Sequence, residues 1–351
     1  MLRSLISGAA SQLDVAFGAA LFHRSAAARA RSKTESLSHG ERLEALRVMT
    51  EAWDKPEHYA SESRFFAKPA GVTPRLEPVR SLTGGRVADA YWPSAFTLHD
   101  QAVSERYLGV VENRTAAARL FLHDGAPRPA AILIHGYRTG QWGLEERVWP
   151  IEWLFGKGLD VALMVLPFHA VRAKKTGAPL FPGSDPRITN EGFRQAVFDT
   201  RALARWFLDR GSPGVGAMGM SLGGYTTALL ATVEERLAFA VPMIPLASLP
   251  DMVRGMGRLV GSEAEQEAQH AALEAAHRVV SPLARPSKLA SDRVLIVAAE
   301  GDRITPVSHA EKLARHFSAP LEVLPGGHIL QLWKREGFKA TARMLGRLGL
   351  I

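Results

Sequence analysis

The sequence predicts an α/β architecture: a mostly parallel central sheet with helices on both faces, a helical N-terminal extension, and a helical insertion late in the chain. Three observations carry this expectation. From residue 130 onwards short apolar runs alternate with helical patterns, the order that builds a parallel sheet. Residues 293–300 form a near-continuous apolar run, as a strand buried on both faces requires. Residues 214–225 pass from a strand-like run into a helix across Gly219-Met220-Ser221-Leu222-Gly223. That spacing reads as a nucleophile elbow, in which a serine sits on a strained turn and small flanking residues let strand and helix pass closely.

The elements follow in order. Residues 1–70 read as the helical extension. Within it, 5–22 predict an amphipathic helix docked with Leu5, Leu13, Phe17 and Phe22 inward, and 37–53 a second helix capped by Ser38, with Leu43, Leu46 and Trp53 at helical spacing. Ser7, Ser11, Gln12 and Asp14 interrupt the first segment, which argues against a cleaved signal. No stretch reaches the roughly eighteen apolar residues of a membrane span. Residues 71–351 predict the catalytic domain. Its first part, 72–128, punctuated by Gly84-Gly85, Pro93 and Gly125, predicts antiparallel leading strands. Strands near 130–135, 160–166, 214–220, 237–244, 293–299 and 321–324 then alternate with helices at 143–157, 191–210, 222–234 and 306–317. Two stretches are too long for plain connectors: 167–190, with Arg172, Lys174 and Lys175, and 249–290, expected as a cap insertion overhanging the site.

Composition narrows the chemistry. A chain of 351 residues that is 46% hydrophobic can bury a large core. It has no cysteine, which excludes disulfides, thiolate metal sites and cysteine nucleophiles. The net charge of +8 is concentrated at the C-terminus. There Arg335, Lys339, Arg343 and Arg347 recur every four residues, away from Trp333, Phe338, Leu345 and Leu348, and read as a solvated helix face. No aromatic-basic motif points to nucleic acid. His270 and His277 share a helical face without the carboxylate partners of a metal site. No metal and no cofactor are therefore expected. The expected location is cytoplasmic, with peripheral membrane contact through the N-terminal segment as the alternative.

Candidate catalytic residues fall at strand ends. Ser221 is the candidate nucleophile. Asp302, in Gly301-Asp302-Arg303-Ile304-Thr305-Pro306, is the candidate acid; its rival Asp251 follows Pro250 and reads as a helix N-cap. His328, in Pro325-Gly326-Gly327-His328 ahead of a helix expected to begin near Ile329, is the candidate base, since His309 and His316 lie in a helix as surface or satisfied core residues. Upstream, the run 130–134 ends in His135-Gly136-Tyr137, where the Tyr137 N–H joins the Leu222 N–H as an oxyanion hole. His135 reads as a tie for that loop. His169 lines the pocket or pins the basic loop, Asp199 makes a local ion pair or hydrogen bond, and His135, Phe168, His169 and Met220 are the pocket-lining candidates.

With four motifs in register and the order Ser221, Asp302, His328, residues 75–351 resemble the α/β-hydrolase superfamily of serine hydrolases. The surroundings of Ser221, Pro167-Phe168-His169 with its basic loop, Pro242-Met-Ile-Pro245 and Gln12-Leu-Asp-Val-Ala-Phe17 resemble a narrower branch, α/β-hydrolase domain-containing protein eighteen and its bacterial relatives. The resemblance implies the α/β-hydrolase fold and cleavage of a small-molecule or lipid-like carboxylic ester through an acyl-enzyme. Amide, peptide or thioester cleavage and acyl transfer use the same machinery. A non-catalytic relative that keeps the pocket as a binding or interaction scaffold is the reading from a different class; such proteins usually lose a triad member. The oligomeric state is not legible.

Overall fold

The computed structural model describes residues 7–15, 37–175, 177–332 and 334–351. Nine strands form one sheet: β1 (Arg75–Leu82), β2 (Gly85–Pro93), β3 (Thr115–His123), β4 (Ala130–Ile134), β5 (Asp160–Met164), β6 (Val215–Met220), β7 (Ala240–Met243), β8 (Ile296–Ala299) and β9 (Leu321–Leu324). Their order across the sheet is β1-β2-β3-β5-β4-β6-β7-β8-β9. The first three strands pair antiparallel, and β3 meets β5 antiparallel. From β5 to β9 every pairing is parallel. This is the mostly parallel sheet that the alternation of apolar runs implied, in the α/β-hydrolase fold that the resemblance implied. Because β5 and β6 lie on opposite sides of β4, the chain reverses its winding there, and a crevice opens at the carboxyl ends of the neighbouring strands.

The central strands β4, β6, β7 and β8 are apolar throughout because both faces are covered, whereas the edge strand β1 is exposed and carries Arg75, Glu77 and Arg80. Ala130, Ile132 and Ile134 of β4 belong to one core cluster, while Ala131 and Leu133 belong to the cluster on the other face. The first cluster also takes in Trp53, Phe65 and Phe66, so residues 37–66 pack into the same core as the sheet. The helix His39–Trp53 starts where its chemistry says: Ser38 and Glu41 form a reciprocal capping box. Among the described residues no helix is long and apolar enough to cross a membrane.

Several expectations shift. The helical pattern at 143–157 is two helices, Trp142–Val148 and Ile151–Gly156, because Pro150 drives Trp149 into an extended conformation. The helix expected from 191 begins at Pro186, with Asp185 as N-cap and proline in the first turn. The last helix runs Lys334–Arg347 and so begins after, not near, Ile329. On it Arg335, Lys339, Arg343 and Arg347 are exposed, while Phe338 and Leu345 are buried. Trp333 lies outside the described residues. Residues 7–15 are helical, but Leu13 is 50% exposed rather than inward. Leu5, Phe17 and Phe22 lie outside the described residues.

Candidate active site

The turn at Ser221 has the strain its neighbours predict. Ser221 sits at φ 57°, ψ −112° between β6 and the helix Leu222–Val233. Only small residues fit around it: a Cβ on Gly219 would lie 2.0 Å from the Gly223 carbonyl oxygen, and one on Gly223 2.0 Å from the Ile134 carbonyl oxygen. Ser221 is partly exposed while the residues on either side are buried. The Leu222 N–H opens the helix and has no intrahelical acceptor, so it and the helix dipole face the elbow. A Cβ on Gly136 would lie 3.6 Å from Ser221 Cβ, which places the His135-Gly136-Tyr137 loop beside the nucleophile.

Asp302 and His328 are brought together at the ends of β8 and β9. His328 Nδ1–H donates to Asp302 Oδ2 at 2.7 Å. Asp302 is 3% exposed, and its Oδ1 accepts the N–H groups of Ile304 at 2.8 Å and Thr305 at 2.7 Å. These bonds hold the carboxylate so that Oδ2 faces the imidazole and Nε2 points away. Ser221 Oγ makes no hydrogen bond to His328 among the described contacts; such contacts commonly tighten only with substrate bound.

Thr305 was missed by sequence reasoning. Its hydroxyl lies 2.9 Å from Asp302 Oδ2, 2.9 Å from the Ile244 carbonyl oxygen and 3.1 Å from His328 Nδ1. It ties the acid's loop to the end of β7, and nothing in a Thr-Pro dipeptide signals that. The rival acid lies elsewhere. Asp251 is not the cap of its helix, since Ser248 is. Its carboxylate instead pairs with His270 at 2.9 Å and with Lys312. Burial pushes that carboxyl up, but the Lys312 and His270 hydrogen bonds hold it below its usual range.

The other histidines settle into structural bonding. His135 Nδ1–H donates to the Gly136 carbonyl at 2.7 Å, and Nε2 accepts the Leu166 N–H at 3.0 Å, so the ring ties the loop after β4 to the end of β5. Burial pulls its pKa down, in keeping with a neutral ring that both donates and accepts. His309 Nδ1 accepts the Ala247 N–H at 3.2 Å, and His316 Nε2–H donates to the Arg285 carbonyl at 2.7 Å. His277 Nδ1–H donates to Asn190 Oδ1 at 2.7 Å, and burial lowers its pKa to about 4.

A cavity of about 1070 Å³ opens beside the loop after β4, walled by Arg138 and Thr139, by 168–171, 173–175 and 177–180, and by Ala102, Glu105, Arg106, Gly109 and Val110. His169 and Phe168 line it; His135 and Met220 do not, the first lying behind the loop and the second buried in the opposite core cluster. His169 Nδ1–H donates to the Pro167 carbonyl at 2.8 Å, leaving Nε2 a buried acceptor with no partner among the described residues. Burial holds that ring well below its ordinary pKa. Phe168 at φ 60° and Ala170 at φ 44° flank it in the left-handed region, a strain typical of ligand-facing segments.

The basic loop divides in two. Arg172, which reads in the sequence as one of the loop's three cations, is wholly buried and bound to Asp199 at 2.7 Å and to the Val165 carbonyl at 3.0 Å. Burial raises the Asp199 pKa, which Arg172 opposes. Arg172 is thus a brace for the loop, and among the cavity's cations Lys174, Lys175 and Arg138 have no carboxylate partner among the described residues, while Glu105 brings a negative charge to the same wall. The segment 249–290 folds as the helices Leu249–Gly255 and Glu263–His277, which pack on each other, the second also on His39–Trp53. It walls a second cavity, of about 430 Å³, over Tyr225.

Comparison with known proteins accords with this geometry. Residues 194–321 match the prolyl oligopeptidase family, a span that includes Ser221 and Asp302 and stops short of His328. The chain is 31% identical over 282 residues to the uncharacterized protein Rv2627c of Mycobacterium tuberculosis, covering 76% of this chain and about two thirds (67%) of that protein's length. Among solved structures, the acetyl xylan esterase from Paenibacillus sp. R4 superposes with a TM-score of 0.55 at 15% identity, covering 86% of this chain and 92% of that one. Acetyl xylan esterase 1 from Thermoanaerobacterium sp. JW/SL YS485 does so at 0.53 and 16%, covering 87% and 94%. At these identities the likeness concerns the fold.

Proposed function

We infer, for a chain that belongs to the α/β-hydrolase superfamily of serine hydrolases and to the family of the mycobacterial protein Rv2627c, that it cleaves carboxylic esters of small-molecule or lipid-like substrates through an acyl-enzyme. The observation that carries the reading is the Asp302–His328 pair at 2.7 Å, set on the strands beyond a strained, partly exposed Ser221. With Nδ1–H held on Asp302, Nε2 of His328 is left to take the Ser221 proton as Oγ attacks the acyl carbon. The oxyanion falls to the Tyr137 and Leu222 N–H groups, each such donor being worth about 3 to 4 kcal/mol of barrier. His328 then returns its proton to the departing alkoxide. Water, activated by the same imidazole, releases the acid and restores Ser221. The narrower kinship with α/β-hydrolase domain-containing protein eighteen rests on short sequence segments and adds no substrate class.

A fluorophosphonate probe should label the protein on Ser221 alone, read by peptide mass spectrometry. A folded protein that takes no label would instead be the non-catalytic scaffold. The match of 194–321 to a peptidase family favours amide cleavage as the second reading. Matched ester and anilide substrates of one acyl group separate the two by their kcat/KM ratio.

The cavity beside the oxyanion loop is our choice for the substrate's entrance. Lys174 and Lys175 favour an anionic portion there, and the helices of 249–290 are proposed as a cap on the other side, over Tyr225. Exposed charges act over about 8 Å at physiological ionic strength, so the effect should fade as salt rises. Lys174→Ala/Lys175→Ala should lower kcat/KM for an anionic ester by about threefold to tenfold at low salt and leave a neutral ester of equal acyl length unchanged. Equal losses on both esters would make the loop a structural element only.

A further inference from the structure

The helix at residues 7–15 docks by its polar side chains. Leu13 and Val15 are exposed, whereas Ala10 and Asp14 are buried and Ser7 nearly so. Asp14 is 1% exposed, and its carboxylate accepts three backbone N–H groups: His328 at 2.7 Å and Arg303 at 3.2 Å on Oδ2, and Ile329 at 2.9 Å on Oδ1. Ser11 Oγ donates to the Gly301 carbonyl at 2.8 Å, and Ser7 Oγ to Glu300 Oε2 at 3.2 Å. One short helix therefore grips both the loop that carries Asp302 and the loop that carries His328.

The glycines ahead of both residues agree with that contact. A Cβ on Gly301 would lie 2.4 Å from the Ser7 carbonyl oxygen, and one on Gly327 2.7 Å from Asp14 Oδ2 and 3.0 Å from Ala10 Cβ. The close approach of the helix explains why Gly-Asp and Gly-His stand there. A buried carboxylate is costly unless its oxygens are filled by donors, and N–H bonds to a charged acceptor are the stronger kind. Packing alone would be served by an apolar residue at 14. The bonds also take up the His328 and Ile329 amides.

We propose that Asp14 is a positioning residue of the hydrolase: by holding the backbone at His328, Ile329 and Arg303 it sets the imidazole against Asp302 and toward Ser221. The proposal rests on the serine-hydrolase reading above. Misplacement of a catalytic group by about 1 Å costs on the order of a hundredfold in rate. In the full-length chain, Asp14→Ala and Asp14→Asn should lower ester kcat by about tenfold to a hundredfold and leave KM within about twofold. Gly327→Ala, which drives a methyl against the carboxylate from the other side, should reproduce that loss. In a His328→Ala background Asp14→Ala should change the residual rate less than about twofold, because the residue acts through His328. Amide hydrogen exchange at His328 and Ile329 should quicken in Asp14→Asn.

A folded Asp14→Ala protein with wild-type kcat would overturn the proposal. So would a loss of equal size in the His328→Ala background, which marks general destabilisation. If the wild-type chain neither turns over esters nor takes the fluorophosphonate, the hydrolase reading is what fails. The exchange measurement then still decides whether Asp14 holds the loop, and unchanged exchange refutes it.

Discussion

Ser221→Ala should lower ester turnover by at least about 10⁴-fold with the fold intact, because it removes the attacking oxygen and nothing that packs. Alanine fits the turn as serine does, and the neighbours that forbid bulk there, Gly219 and Gly223, are untouched. The melting temperature should stay within about 2 °C of wild type, since surface-level changes without a cavity shift stability little. Ser221→Gly sharpens the test. At φ 57° the serine holds a conformation that glycine adopts without strain, so this variant should be at least as stable as the wild type and equally inactive. Turnover within tenfold of wild type in freshly purified Ser221→Ala would remove the serine from the reaction.

Asp302→Asn should cost about 10³- to 10⁴-fold in kcat, whereas Asp251→Asn should change it less than about threefold. The reason lies in which oxygen does what. Asp302 Oδ1 is committed to the N–H groups of Ile304 and Thr305, so an asparagine must keep its carbonyl oxygen there and turn its NH₂ toward His328 Nδ1. Nδ1 would then be the acceptor and Nε2 would carry the proton, the tautomer that cannot take one from Ser221. Asp251 binds His270 and Lys312 on a different surface, and its loss costs only a partly exposed ion pair. The two kcat values, measured on one ester at saturating concentration, decide the acid; the reverse ranking would return the role to Asp251.

Much of this site was legible because its signals are local. The elbow at 219–223 is recognisable since strand, strained turn and helix follow one another within a dozen residues, and backbone crowding dictates glycine on either side of Met220-Ser221-Leu222. Asp302 and His328 stand directly after apolar runs, and a parallel sheet delivers every such strand end to the same edge. The place of His135 in the loop after β4 is legible for the same reason.

What the one-dimensional order could not convey is the partner of each side chain. Arg172 reads as one of three loop cations beside Lys174 and Lys175, yet it is buried on Asp199, because a neighbouring helix brings a carboxylate to that point and to neither lysine. Asp14 reads as a polar flaw in an apolar segment, and Leu13 beside it as the inward residue; the fold inverts them, since the surface that receives the helix offers backbone N–H groups to Asp14 and the Gly301 carbonyl and Glu300 carboxylate to Ser11 and Ser7. Thr305 is invisible beside its proline until β7 supplies the Ile244 carbonyl. The sequence by itself determined the sheet, the elbow and the order of the three catalytic candidates, all of which follow from periodicity and steric limits within short windows. What grips the loops of Asp302 and His328 emerges only in the folded chain, because Asp14 and His328 are 314 residues apart and meet through hydrogen bonds that no local pattern encodes.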